Sequence, residues 1–133
     1  MGNNTMPNVG EFCWNELLTS DTNKAKDFYT SVLGWETKDI EVNIESKTYT
    51  MFMAENKGFG GIMQIPSDKK GSTPSHWISY IAVKDVMETL EKAKKLGASI
   101  LKPVTVIPEK GRFVIIIDPA GATIGFWESF LRT

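Results

Sequence analysis

The sequence predicts an α+β fold: two βαβββ modules in one chain, with curved, mostly antiparallel sheets that enclose a cleft and helices outside. Two observations predict it. In each half, an apolar run, a helical pattern and three short extended runs follow one another in the same order. Both helical patterns have nearly equal length and end in Leu-Gly, at Gly34 and Gly97. Such an internal duplication constrains the fold more than any single segment does.

The first module, about 10–65, opens with an apolar run that predicts a strand over 12–18. Asp21 is an N-cap candidate for the helix that follows, and Gly34 supplies the left-handed residue that ends it. Three strands are then expected at 36–42, 47–53 and 59–65, with a break at Asn56-Lys57-Gly58. The residues that recur at the spacing of one buried helix face are Ala25, Phe28, Tyr29, Val32 and Leu33.

The tract 66–75 is rich in helix and strand breakers and is predicted to connect the modules. The second module, about 76–128, begins with a strand over 77–83. Asp85 and Glu88 form a capping box there, and Asp118-Pro119-Ala120-Gly121 suits a type I turn. Strands are expected at 99–106, 112–117 and 123–127. The predicted buried stripe of the second helix is Val86, Leu90, Ala93 and Leu96.

Composition excludes several classes of protein. The 133 residues are 41% hydrophobic and 23% charged, which is ordinary for a globular domain. The net charge is −1 and no basic cluster exists, so nucleic acid is not an expected partner. No apolar stretch reaches the length of a transmembrane helix, so a membrane is not expected either. The lone Cys13 cannot form an internal disulfide, and no signal peptide is recognisable. We expect a cytoplasmic protein.

Several short motifs occur together in a familiar order: Trp14-Asn15-Glu16-Leu17, Leu33-Gly34-Trp35, Gly60-Gly61-Ile62-Met63 and Gly111-Arg112-Phe113. On these motifs, their order and their spacing, the chain resembles the vicinal oxygen chelate superfamily, which includes glyoxalase I, bleomycin-resistance proteins and extradiol dioxygenases. The resemblance covers about 10–128 and fits a glyoxalase-like subgroup of unknown reaction. It implies a single domain over 1–133, a small-molecule ligand and a homodimer.

The resemblance also implies four strand positions, usually His or Glu, that chelate a divalent ion. Alignment places Trp14, Met63, Ile78 and Gly125 at these positions. Indole, an aliphatic side chain and glycine offer no suitable lone pair, and a thioether suits softer metals. We therefore expect no metal and no other cofactor.

Residues two apart on a strand lie on the same face of the sheet. We therefore expect Glu16 on the face of Trp14, Tyr80 on the face of Ile78, and Trp127 on the face of Gly125. A carboxylate among aromatic residues is suited to general acid or base work, so Glu16 is the candidate catalytic residue. It could equally accept a hydrogen bond from a substrate, pair with Arg112 or lie at a solvated rim. The predicted substrate-binding residues are Trp14, Glu16, Met63, Ile78, Tyr80, Arg112, Gly125 and Trp127.

For several other residues, two interpretations remain open. Arg112 is either a clamp for an anionic group or a surface residue. Tyr49, Met51 and Met53 alternate along one strand and either line the cleft or belong to the core.

Three functions follow. The favoured one is a glyoxalase/bleomycin-resistance-like protein that binds a small organic molecule in an apolar cleft, without metal and with an unknown reaction. The second is a metal-dependent lyase, isomerase or dioxygenase that uses shifted ligands such as Glu16 and His76. The third is a dimerisation or interaction protein with a vestigial cleft.

Overall fold

A computed structural model describes residues 8–42, 47–65 and 73–130. The chain divides into two compact units. The N-terminal unit is Trp14–Ile78, and the C-terminal unit comprises the chain before Trp14 and after Ile78. Most of the predicted connection, residues 66–72, lies outside the described residues.

The N-terminal unit has the order β-α-β-β-β. Its sheet has the strand order β2-β3-β4-β1, with β1 parallel to β4 and the other pairs antiparallel. The elements are β1 (Phe12–Thr19), α1 (Thr22–Leu33), β2 (Glu36–Val42), β3 (Lys47–Ala54) and β4 (Lys57–Gln64).

The C-terminal unit repeats this order. Its strands are arranged β5-β8-β7-β6, with β5 parallel to β8 and the other pairs antiparallel. The predicted α+β fold of two βαβββ modules is therefore confirmed. The elements are β5 (His76–Ala82), α2 (Val86–Lys95), β6 (Ser99–Ile107), β7 (Gly111–Ile117) and β8 (Thr123–Ser129).

The segment before Trp14 belongs with the C-terminal unit, although the sequence assigned it to the first module. Gly10 N donates to Ala82 O at 2.8 Å, and Ala82 N donates to Glu11 O at 2.9 Å. These backbone bonds pair the start of the described chain with the end of β5.

Helix α1 begins and ends at the predicted residues. Asp21 accepts a hydrogen bond from Lys24 N, and Gly34 adopts the left-handed conformation at φ 71°. The helix covers a core of Leu17, Phe52 and Ile62, with the Tyr29 ring stacked on Trp35.

The predicted buried face of α1 is partly wrong. Phe28, Val32 and Leu33 are 57%, 60% and 50% exposed. Only Ala25 and Tyr29 of the predicted stripe pack against the core. Periodicity identifies the apolar side of a helix, but it does not show how much of that side the sheet covers.

Helix α2 is anchored more deeply. Asp85 accepts hydrogen bonds from Met87 N and Glu88 N, and Val86 and Leu90 are buried against Val114 and Ile116. Leu96, predicted to be buried, is instead 77% exposed because it stands at the C-cap, beyond the last helical turn.

The break predicted at Asn56-Lys57-Gly58 is displaced. The turn is Glu55-Asn56, and both residues have positive φ, 52° and 64°. Such a two-residue turn matches the twist of a hairpin, so β4 already begins at Lys57. Within the described ranges, neither helix is long and apolar enough to span a membrane.

Candidate functional site

The face of the N-terminal sheet opposite α1 carries the predicted residues Trp14, Glu16 and Met63. Glu16 lies opposite Gly61 on β4, and Gly61 in turn lies opposite Met51 on β3. Cross-strand partners share a face, and residues two apart on a strand do so as well. We name this set the Glu16 face: Trp14, Glu16, Tyr49, Met51, Gly61 and Met63.

A chain of hydrogen bonds joins three side chains of the Glu16 face. Trp14 Nε1 donates to Tyr49 Oη at 3.0 Å, and Tyr49 Oη donates to Glu16 Oε2 at 3.0 Å. Glu16 is 8% exposed. Burial, and next the negative charge of Glu16, raise the pKa of Tyr49 well above its usual range. The phenol therefore keeps its proton and donates a hydrogen bond to the carboxylate.

A glycine makes room for this arrangement. A Cβ at Gly61 would overlap the hydroxyl end of the Tyr49 ring, so the ring lies directly on the β4 backbone. Met63 is 42% exposed on the same strand. The Glu16 face therefore combines two aromatic rings and two thioethers with one buried carboxylate.

The corresponding face of the C-terminal sheet carries Tyr80, Gly125 and Trp127. Tyr80 lies opposite Gly125, where its ring occupies the space of the missing Cβ, and it meets Phe113 edge to face at 5.9 Å. The Trp127 ring lies in the same way against Gly111. The three predicted residues thus share an aromatic face of their own unit.

The remaining predicted residues have other surroundings. Ile78 is 2% exposed. Arg112 donates from Nε to Glu128 Oε1 at 2.8 Å, and its Nη2 lies 3.4 Å from Asp85 Oδ1. Glu128 Oε1 also accepts from Val86 N at 2.9 Å. These contacts join Arg112 to the beginning of α2.

The residues present do not fit a divalent metal ion. Nowhere in the described part of the chain do three His, Cys, Asp or Glu side chains come together. The strand registers place Gly61 opposite Glu16 and Gly125 opposite Tyr80. Neither glycine nor Met63 offers a donor that a hard cation favours.

Two further reactive side chains have distinct positions. His76 Nδ1 lies 2.7 Å from Pro74 O, a contact within its own segment. Burial raises the pKa of the Cys13 thiol to about 11, so this cysteine stays protonated and is not an activated nucleophile.

Tyr49 is the site residue that sequence reasoning did not select. Alternation along β3 placed Tyr49 on the same face as Met51 and Met53, but no local sequence signal indicated that its ring reaches across β4 to Glu16. The turn at Glu55-Asn56 would not have shown this by itself, because Met51 comes to lie opposite Gly61 only through a register shift between Phe52 and Met53.

The family model described as Glyoxalase/Bleomycin resistance protein/Dioxygenase superfamily matches residues 12–126. "Putative glyoxylase CFP32" of Mycobacterium tuberculosis is 34% identical over 116 residues, which cover 87% of this chain and 44% of that protein. "Anthracycline biosynthesis protein DnrV" of Streptomyces peucetius is 25% identical over 129 residues, covering 89% and 46%.

The chain thus spans less than half the length of these two curated relatives. Among solved structures, the hypothetical protein BH1468 from Bacillus halodurans superposes with a TM-score of 0.68 at 12% identity, over 95% of this chain and 99% of that one. This likeness shows the fold alone. Because the family model matches most of the chain, the chain belongs to the glyoxalase/bleomycin resistance protein/dioxygenase superfamily.

Proposed function

We propose that this protein binds a small, largely apolar organic molecule on the Glu16 face without the help of a metal ion. The observation that carries the proposal is the hydrogen-bonded chain Trp14–Tyr49–Glu16, in which the Tyr49 phenol holds a buried carboxylate on the same face as two aromatic rings. In this role the rings supply contact area and Glu16 accepts a hydrogen bond that orients the ligand.

The composition of the face favours a flat ligand. Aromatic rings give large apolar contact at little conformational cost, and the thioethers of Met51 and Met63 adapt to ligands of irregular outline. A carboxylate has several lone pairs, so Glu16 can accept a hydrogen bond from a ligand in addition to the one from Tyr49. A planar aromatic molecule with a hydroxyl or amine group combines apolar contact area with such a donor.

The similarity to an anthracycline biosynthesis protein supplies a first probe. Anthracyclines are flat polycyclic aromatic compounds with hydroxyl groups, so they match the ligand class that we propose. We propose no reaction for this chain, and Glu16 stays the candidate catalytic residue predicted from the sequence. Tyr80, Gly125 and Trp127 stay predicted binding residues.

Isothermal titration with an anthracycline and simpler aromatic alcohols tests the proposal. Glu16→Gln should weaken the binding of a ligand with a donor by about 1–3 kcal/mol, because the hydrogen bond then goes to a neutral amide. Glu88→Gln on α2, whose side chain is 70% exposed, is the matched control and should bind like the parent. Equal affinity in the Glu16→Gln variant would remove Glu16 from the site.

Two finer predictions accompany this function. We propose a homodimer, since β2 and β6 each pair with a single strand in their own described sheet and such edges favour association. We also propose a cytoplasmic location, based on the lone Cys13.

A further inference from the structure

We infer that Tyr49 is the positioning residue of the binding site, held in place by Gly61, and that it makes Glu16 a directional acceptor selecting ligands with a hydroxyl or amine donor. This inference rests on the proposed function. It adds a residue that the family resemblance did not assign, and it adds the selectivity of the site.

The hydrogen bonds determine what Tyr49 can do. A phenol has one proton, and here it goes to Glu16 Oε2, while the phenol oxygen accepts from Trp14 Nε1. Tyr49 therefore orients the carboxylate, and the carboxylate is the group that receives the ligand. An ionised carboxylate only accepts hydrogen bonds, so it favours a donor over the same molecule with its donor methylated.

Gly61 provides the second, independent observation. Tyr49 stands on β3 and Glu16 on β1, with β4 between them, so the phenol has to cross β4 to reach the carboxylate. It crosses at Gly61, the direct cross-strand partner of Glu16, where any Cβ would overlap the ring.

The backbone itself does not require glycine at this position. Gly34 and Gly97 have φ values of 71° and 103°, where glycine is favoured, whereas Gly61 is not among the residues with positive φ. The space taken by the Tyr49 ring is therefore the physical reason for glycine at 61.

The test uses 1-naphthol, which carries a donor, and 1-methoxynaphthalene, which lacks it. Tyr49→Phe should weaken 1-naphthol binding about tenfold, because the carboxylate loses its fixed orientation. The affinity of the same variant for 1-methoxynaphthalene should stay within twofold of the parent's. In a Glu16→Gln background, Tyr49→Phe should have no further effect on either probe, since the two residues act through one hydrogen bond.

A glycine variant provides a second test, in which the phenol group of Tyr49 itself is not changed. Gly61→Ala should reduce the preference for 1-naphthol as Tyr49→Phe does, because the methyl group displaces the ring. Lys57→Ala, at an exposed position of the same strand, is the control, and the preference should persist.

The outcomes separate the two ideas. Independent, multiplicative effects of Tyr49→Phe and Glu16→Gln, or an unchanged preference in both Tyr49→Phe and Gly61→Ala, would overturn this inference while leaving the proposed function standing. A parent chain that binds neither probe would overturn the proposed function, and this inference with it.

Discussion

Two buried carboxylates, Glu16 and Glu128, show how the same residue type serves different ends in this chain. Glu128 is joined to the Arg112 guanidinium and to the backbone N–H of Val86, so it fastens β7 and β8 to the start of α2. Glu16 is joined to a neutral phenol. The first arrangement stabilises an element, whereas the second holds an acceptor in a fixed orientation.

Replacing Glu128 should therefore reduce stability. Glu128→Gln is expected to lower the free energy of unfolding by about 1.5–3 kcal/mol, because the partly buried Arg112 guanidinium and the buried Val86 N–H lose a charged acceptor. Glu91→Gln is the control, since its partner Lys94 is an exposed neighbour at 3.5 Å and such pairs contribute about 0.5 kcal/mol or less. Urea denaturation of both variants measures the difference, and equal losses would contradict the assignment.

For single residues, the sequence predicts which face of a strand a side chain lies on, but it does not predict which side chains it contacts. Alternation along β1 places Trp14 and Glu16 on one face, as the structure shows. The contact between Glu16 and Tyr49 depends on strand order and on a ring crossing β4, and neither can be read from local spacing. For the same reason the sequence left open whether Glu16 pairs with Arg112, and in the structure Arg112 is bonded to Glu128 and lies 3.4 Å from Asp85.

The two helices are similar elements with different packing. Both begin at an aspartate N-cap and end near a Leu-Gly pair, which is why their limits could be predicted from the sequence. Helix α2 buries Val86 and Leu90, whereas no described residue of α1 is fully buried. Helix α1 rests on its sheet mainly through the Tyr29 ring, which contacts Trp35 and Phe52.

A pair of matched leucine substitutions tests this difference. Leu90→Ala in α2 should lower the free energy of unfolding by about 2–5 kcal/mol, because Leu90 is only 5% exposed. Leu33→Ala in α1 should cost less than about 1 kcal/mol, since half of that side chain is already in water. Thermal or urea unfolding provides the comparison. If Leu33→Ala lowered the free energy of unfolding as much as Leu90→Ala, the result would support the buried helix face predicted from periodicity.

The strands show where local signals fail. Glycine at 58 suggested a turn, yet the chain turns at Glu55-Asn56 and Gly58 lies inside β4 beneath Met51. Glycine serves a turn in one place and close side-chain approach in another, and the residue type alone does not distinguish the two uses.

At the scale of the whole molecule, the repeated order of elements determined the fold. Both units carry a strand glycine opposite a functional candidate, Gly61 opposite Glu16 and Gly125 opposite Tyr80. The duplication was visible in the sequence because capping and helix length repeat. The chemistry of the site was less visible, because the two units carry different side chains at equivalent positions.

Self-association is the first prediction at this scale. Sedimentation velocity at micromolar concentration should show a species of about twice the 14.8 kDa chain mass. The expected reason is that exposed strand edges are covered in the assembly. A single 14.8 kDa species over the whole concentration range would contradict the homodimer.

The central claim is that the chain binds an aromatic donor directly through Glu16, and native mass spectrometry tests it most directly. The chain would be treated with a chelator, then mixed with 1-naphthol or an anthracycline, with and without added zinc, nickel, iron or manganese. Because the aligned ligand positions carry no suitable donor, we expect one ligand per chain without metal, no stoichiometric ion, and loss of the ligand adduct in Glu16→Gln. An adduct that forms only after a metal ion binds, and that disappears in Glu16→Ala or His76→Ala, would contradict the account and favour the metal-dependent alternative.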